Sequence, residues 1–207
     1  MKVLLVIDAQ NDFMPGGSLE VPEGDQIVPV INAIQDKFDL VVAAQDWHPQ
    51  DHVSFASNHE GKIVFDQIEV HGRAQTLWPD HCVQGTKGAQ FHSDLKTDSW
   101  ETIFRKGTDT QIDSYSAFYD NGHLKSTGLT GYLKEKGATE IYMCGLAADI
   151  CVYYSLLDAV KEGFTCFFVE DASRPLDVKN FSEMKNIMES HGITILSSKE
   201  FTPTTKV

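Results

Sequence analysis

Cys151 stands in the stretch Gly145-Leu146-Ala147-Ala148-Asp149-Ile150-Cys151-Val152. An apolar run over 141–144 precedes it and reads as a buried strand, and a segment with helical periodicity follows. At a strand-to-helix turn, backbone N–H groups and the helix dipole favour the thiolate, the nucleophilic form of cysteine. Taken alone, such a residue is one more small buried side chain. Two charged residues give it a chemical reading. Asp8 follows a predicted strand over 3–7, and Lys106 follows another over 102–104. A cation beside a thiol lowers its pKa and a carboxylate can take its proton. Asp8, Lys106 and Cys151 together therefore fit covalent acyl transfer, provided that the fold brings them to one place.

Asp46-Trp47-His48-Pro49-Gln50-Asp51-His52 carries the second signal. Asp-x-His puts a carboxylate and an imidazole on the same side of an extended segment. His81, in Trp78-Pro79-Asp80-His81-Cys82-Val83, is a candidate third ligand from across a loop. Two histidines and one carboxylate with open positions suit Zn²⁺, Fe²⁺ or Mn²⁺. His52 is a candidate fourth ligand or outer partner, and the other histidines have no such company. Phe13, Trp78 and Tyr115 are aromatics in predicted loops, suited to core packing or to a slot for a flat ring.

These residues need a scaffold. Short apolar runs rich in β-branched and aromatic residues recur at 3–7, 40–44, 102–104, 141–144, 165–169 and 193–196. Amphipathic patterns lie between several of them: Ile27, Val30, Ile31, Ile34 and Phe38; Leu129, Tyr132 and Leu133; Val152, Leu156, Ala159 and Val160; Phe181, Met184, Ile187 and Met188. Gly137, Gly163 and Gly192 follow the last three as helix stops. Strand, helix, glycine, strand is the signature of a three-layer α/β/α fold with a six-stranded, parallel, doubly wound sheet. Ligands of such folds bind beyond the carboxyl ends of the strands, which is where Asp8, Asp46, Lys106 and Cys151 fall. The expectation is one domain over 1–207. Residues 46–101, dense in His, Asp, Gly, Pro and Trp, form a long functional region that binds metal and acts as a lid.

Composition sets outer bounds. A net charge of −13 with no Lys/Arg cluster argues against nucleic acid, and a small neutral or cationic ligand is easier to accept. No apolar run is long enough for a membrane span. The first residues lack a signal-peptide cleavage site, and four scattered cysteines are no disulfide framework, so the cytoplasm is the expected compartment. The charged trio without a metal would also suit an amidohydrolase of carbamoyl or ureido compounds. A metal- or redox-sensing binding protein is the reading outside catalysis.

In order along nearly the whole chain, these blocks resemble the nicotinamidases of the isochorismatase-like cysteine hydrolases. The carriers are Asp8-Ala9-Gln10-Asn11-Asp12-Phe13, Gln45-Asp46-Trp47-His48-Pro49, Ser54-Phe55-Ala56-Ser57-Asn58-His59, Trp78-Pro79-Asp80-His81-Cys82-Val83, Arg105-Lys106-Gly107, Asp113-Ser114-Tyr115-Ser116-Ala117-Phe118 and the Cys151 segment. The resemblance implies a catalytic triad of Asp8, Lys106 and Cys151. It implies one divalent transition-metal ion on Asp46, His48 and His81, most simply zinc, with His52 a ligand in some members. It implies a cis peptide between Leu146 and Ala147, with the N–H groups of Ala147 and Cys151 forming an oxyanion hole. Phe13, Trp78, Tyr115, Ala147 and Ile150 are the implied substrate contacts. The implied reaction is hydrolysis of nicotinamide to nicotinate and ammonia through a thioester, in NAD salvage, with pyrazinamide as a further substrate. No nucleic-acid or membrane partner is expected, and a homo-oligomer stays open. Two positions depart from the family's habit: Ile150 where an aromatic or histidine is common, and Ala148 where threonine is common.

Overall fold

A computed structural model describes residues 1–201. In chain order the strands are β1 (Lys2–Ile7), β2 (Leu40–Asp46), β3 (Gln67–Val70), β4 (Arg73–Thr76), β5 (Thr102–Lys106), β6 (Glu140–Leu146), β7 (Thr165–Arg174) and β8 (Thr194–Leu196). The α-helices are α1 (Ile27–Ile34), α2 (Leu129–Glu135), α3 (Tyr153–Lys161) and α4 (Phe181–Ser190). Six strands form one sheet in the order β5-β2-β1-β6-β7-β8, every pairing parallel. All six predicted strands are present, and the chain turns outward in both directions from β1. Alternation along β1 splits the core. Val3, Leu5 and Ile7 pack with α2, α3 and α4 on one face, while Leu4 and Val6 pack with α1 on the other. α1 covers only part of its face. Trp78, Cys82, Ala89 and Leu95, from the long region after β2, complete that layer.

The strand ends position the chemistry. β2 and β5 run two residues past their apolar stretches, so Asp46 and Lys106 are themselves paired strand residues, opposite each other in register. β7 continues from Val169 to Arg174 through Glu170 and Asp171, whose polarity hides the extension from an apolar count. Its last residues pair with Gly145 and Leu146 after a register shift. Gly145 has φ +124°, and a Cβ there would lie 1.9 Å from the Ile7 carbonyl oxygen. Glycine is what lets β6 approach β1 this closely, one residue before Asp8.

Candidate active site

Lys106 gathers the charged groups. Its Nζ lies 2.8 Å from Asp8 Oδ2 and 2.5 Å from Asp46 Oδ1. It also donates to the Ser114 carbonyl at 3.1 Å and to Cys151 Sγ at 3.5 Å. Asp8, Lys106 and Cys151 are all buried. A buried ammonium between two carboxylates stays charged, and Lys106 is held well above the usual lysine value: burial opposes this, and Asp46 and Asp8 outweigh it. The carboxylates part ways. Burial pushes Asp8 up to about 6, against the pull of Lys106. Asp46 is pushed up by burial too, yet Lys106 and His48 hold it well below the carboxylate range. Asp46 is thus a fixed anion, whereas Asp8 can gain and lose a proton near neutrality. Asp8 Oδ2 lies against the Lys106 ammonium, and the carboxyl is within hydrogen-bonding reach of the Cys151 thiol.

The helix-start argument for a thiolate does not hold in the resting molecule. Burial, with the negative charges of Asp8 and Asp46, raises the Cys151 thiol well above its usual value, and Lys106 only partly offsets them. Cys151 sits in a wide π-type turn, Ala148–Val152, ahead of α3. The Leu146–Ala147 peptide is cis.

Asp46 faces a second cluster with its other oxygen. His48 Nε2 is 3.5 Å and His81 Nε2 3.8 Å from Asp46 Oδ2. The far nitrogens are tied to carbonyls: His48 Nδ1 to Gly107 O and His81 Nδ1 to Pro79 O, each at 2.8 Å. A carbonyl only accepts, so Nδ1 carries a proton in both rings and each Nε2 turns toward the Asp46 carboxylate. Burial lowers His48, but Asp46 outweighs it and raises its value. Two imidazole nitrogens and a carboxylate oxygen converging in a buried site are a donor set suited to a divalent cation, with its outer partners already set. Burial and the charge on His48 push His81 down to about 4, which keeps it a neutral ligand. His52 packs against His48, with ring centroids 4.2 Å apart and planes tilted by 38°. It belongs to a second set, with His48 and Asp113. Its Nδ1 lies 2.7 Å from Ser54 Oγ, its Nε2 is buried without a partner, and burial lowers it to about 4.

Both clusters meet at one cavity. Phe13, Trp78, Tyr115, Ala147 and Ile150 all line it, as do Asp46, His48, His81 and Cys151. Of the two unusual neighbours of the nucleophile, Ile150 faces the cavity, while Ala148 is buried in the core beneath α3. Other contributors were given no role by the sequence, although Gln10 and Asp113 stand in the blocks that carry the resemblance. Gln10 clamps the Asp46 backbone, accepting from its N–H and donating to its carbonyl, both at 2.8 Å. Asp113 lines the cavity and is held by Gln75 Nε2 at 3.1 Å, from the β3–β4 hairpin. Leu19, Val21 and Leu176 supply aliphatic wall. The hairpin left a trace, the two-residue turn His71-Gly72 between short extended stretches.

Residues 2–200 match the family model described as the isochorismatase domain. A nicotinamidase of Acinetobacter baylyi is 45% identical over 197 residues, covering 95% of this chain and 92% of that protein. The solved nicotinamidase/pyrazinamidase of Acinetobacter baumanii superposes with a TM-score of 0.94 at 45% identity, covering 97% of this chain and 98% of that one. The pyrazinamidase of Pyrococcus horikoshii, solved in complex with zinc, superposes with a TM-score of 0.78 at 36% identity, covering 95% and 98%. With this match to the family model and relatives similar over almost their full length, the chain belongs to the isochorismatase family.

Proposed function

We propose that the protein hydrolyses nicotinamide to nicotinate and ammonia through a cysteine thioester, in NAD salvage, and that it accepts pyrazinamide as well. The carrying observation is Lys106 Nζ bridging Asp8, Asp46 and Cys151 beside a two-histidine, one-carboxylate cluster in a single cavity. Asp8 takes the thiol proton as Sγ attacks the amide carbon. Lys106 balances the charge on Asp8 and the sulfur. The carbonyl oxygen becomes an oxyanion, stabilised by the N–H groups of Ala147 and Cys151. Protonated Asp8 then gives its proton to the departing ammonia, and the acyl group stays on Sγ. Asp8 next removes a proton from water as it attacks the thioester, and Cys151 leaves as the thiol. One carboxylate serves alternately as base and acid, which suits a pKa near 6.

Asp46, His48 and His81 would hold a divalent transition metal, which supplies Lewis-acid orientation and polarisation of the ring when bound. Zinc is our assignment, supported by the zinc complex of the Pyrococcus relative; Fe²⁺ and Mn²⁺ suit the same donors. Residues 46–101 act in this reading as the metal-binding part of one catalytic domain. A cytoplasmic setting fits four cysteines that are all unpaired.

Ammonia release from nicotinamide tests the reading. Chelation is expected to lower turnover at least about a hundredfold, with recovery on adding zinc. Unchanged turnover in metal-free protein would remove the metal from the scheme, and no turnover in metal-replete protein would sink the whole reading. A finer expectation concerns Gly107. Its φ is +63°, and a Cβ there would meet His48 Cε1 at 2.3 Å. Gly107→Ala is therefore expected to displace His48 and weaken zinc binding at least about tenfold in a competition titration. Gly131→Ala on α2, with nothing within 4 Å, is the control expected to bind normally.

A further inference from the structure

We propose that Asp149 is a positioning residue which fixes Leu176 as a wall of the substrate cavity, and that this wall confines the substrate to a ring without substituents at its edge. The inference rests on the reading of the protein as a nicotinamide hydrolase and names a determinant of its selectivity.

Asp149 lies two residues before Cys151, is buried, and is absent from the cavity lining. Its carboxylate reaches across the sequence to the loop after β7. Oδ1 accepts the Leu176 N–H at 2.8 Å and Oδ2 accepts the Asp177 N–H at 2.7 Å. Short, charge-assisted bonds to successive N–H groups fix a loop backbone more firmly than neutral ones do. Leu176 is half-buried and lines the cavity between those two bonds and Pro175. A second tie holds the base of the same loop. Arg174 donates to Gln26 Oε1 at 3.0 Å and lies 3.5 Å from Glu23 Oε2. The segment leading to Glu23 brings Leu19 and Val21 to the cavity. The nucleophile's turn and the segment before α1 are thus both stitched to one loop.

The resulting lining is divided by chemistry. Asp46, His48, His81, Asp113, Ser114 and Tyr115 offer polar atoms, whereas Leu19, Val21, Ile150 and Leu176 offer none in their side chains. A ring edge against the aliphatic part is desolvated without replacement partners, so a polar or charged substituent there is penalised. A methyl group collides for as long as the loop holds still. Asp149 never touches substrate in this scheme; it acts through the placement of Leu176.

The experiment compares nicotinamide with its ring-methylated isomers on metal-replete wild type, Leu176→Ala and Asp149→Asn. Leu176→Ala is expected to raise the kcat/KM of at least one methylated isomer relative to nicotinamide about tenfold or more. Asp149→Asn keeps the shape but loses one acceptor. It is expected to shift the same ratio in the same direction and to raise KM for nicotinamide with kcat nearly unchanged. Zinc content should be equal in all three proteins. Ratios unchanged in Leu176→Ala, or losses in Asp149→Asn confined to kcat, would overturn the proposal while leaving the nicotinamidase reading standing. A wild type inactive on nicotinamide would overturn both. Leu176→Ala alters no side chain that forms the clasp, so it keeps the question answerable if Asp149→Asn folds poorly.

Discussion

Replacing Cys151 with alanine is expected to cut ammonia release from nicotinamide by at least about four orders of magnitude while fold and metal content are kept. The fold should survive because the sulfur is the weakest of the Lys106 contacts. Removing it leaves the ammonium with Asp8, Asp46 and the Ser114 carbonyl. The metal should survive because His48 and His81 are oriented by Gly107 and Pro79, on the other side of Asp46. Activity should not survive, because an amide is a poor electrophile and nothing else at the site forms a covalent intermediate. The resting thiol sharpens the expectation. Burial raises the Cys151 thiol, so attack requires that Asp8 take its proton. Rapid quenching of wild type during turnover should accordingly trap an acyl adduct on Cys151, detectable as added mass on its peptide. Near-normal turnover by the alanine variant would mean direct attack by water and would dismiss the thioester.

The legible and illegible parts of this site separate along physical lines. Asp46 and His48 could be paired from sequence because two residues of extended chain fix their relation; β2 ends on Asp46 and His48 follows in a bridge to Val83. Asp8, Lys106 and Cys151 were legible as strand-end residues once the parallel sheet was inferred, since such a sheet sends all its carboxyl ends to one edge. Gln10 was not legible. Its task is to clamp the backbone of a strand that begins 30 residues later, and no local pattern records that. Asp149 and Leu176 were hidden for the same reason, because their relation exists only after β7 has turned back over α3. The β3–β4 hairpin was missed because the buried member of β4 is Gln75 rather than an apolar residue, so alternation fails where it counts. The error about the thiolate came from weighing the helix start without burial. At 6% exposure the cost of desolvating the sulfur exceeds what Lys106 returns.

Lys106→Met should be the most disruptive single change at the site, in stability as well as rate. Methionine fills much the same volume, so the loss is the charge. Asp8 and Asp46 would then face each other in a buried site, each having lost its nearest cation. Breaking a buried pair by removing one partner costs about 3–5 kcal/mol, and here one cation serves two anions. The sign of the pH dependence follows. In wild type the Asp8 value is raised to about 6, so this group favours folding below its unfolded value near 3.8 and loses that benefit as pH rises through 6. Asp46 has the opposite sense: its value is lowered, so it favours folding above 3.8 and loses that benefit as pH falls. Without the ammonium, Asp8 keeps only burial and the Asp46 charge, so its value rises and it favours acid more strongly, while Asp46 rises but keeps His48 and so favours neutral pH less than before. In urea titrations with chelator present, the deficit of Lys106→Met against wild type should therefore be greatest at pH 8 and shrink at pH 5. Turnover should be absent throughout, because a protonated Asp8 is no base and an unpaired one at pH 8 sits in a destabilised site. A deficit independent of pH would show that Lys106 acts through packing rather than as the shared counter-ion.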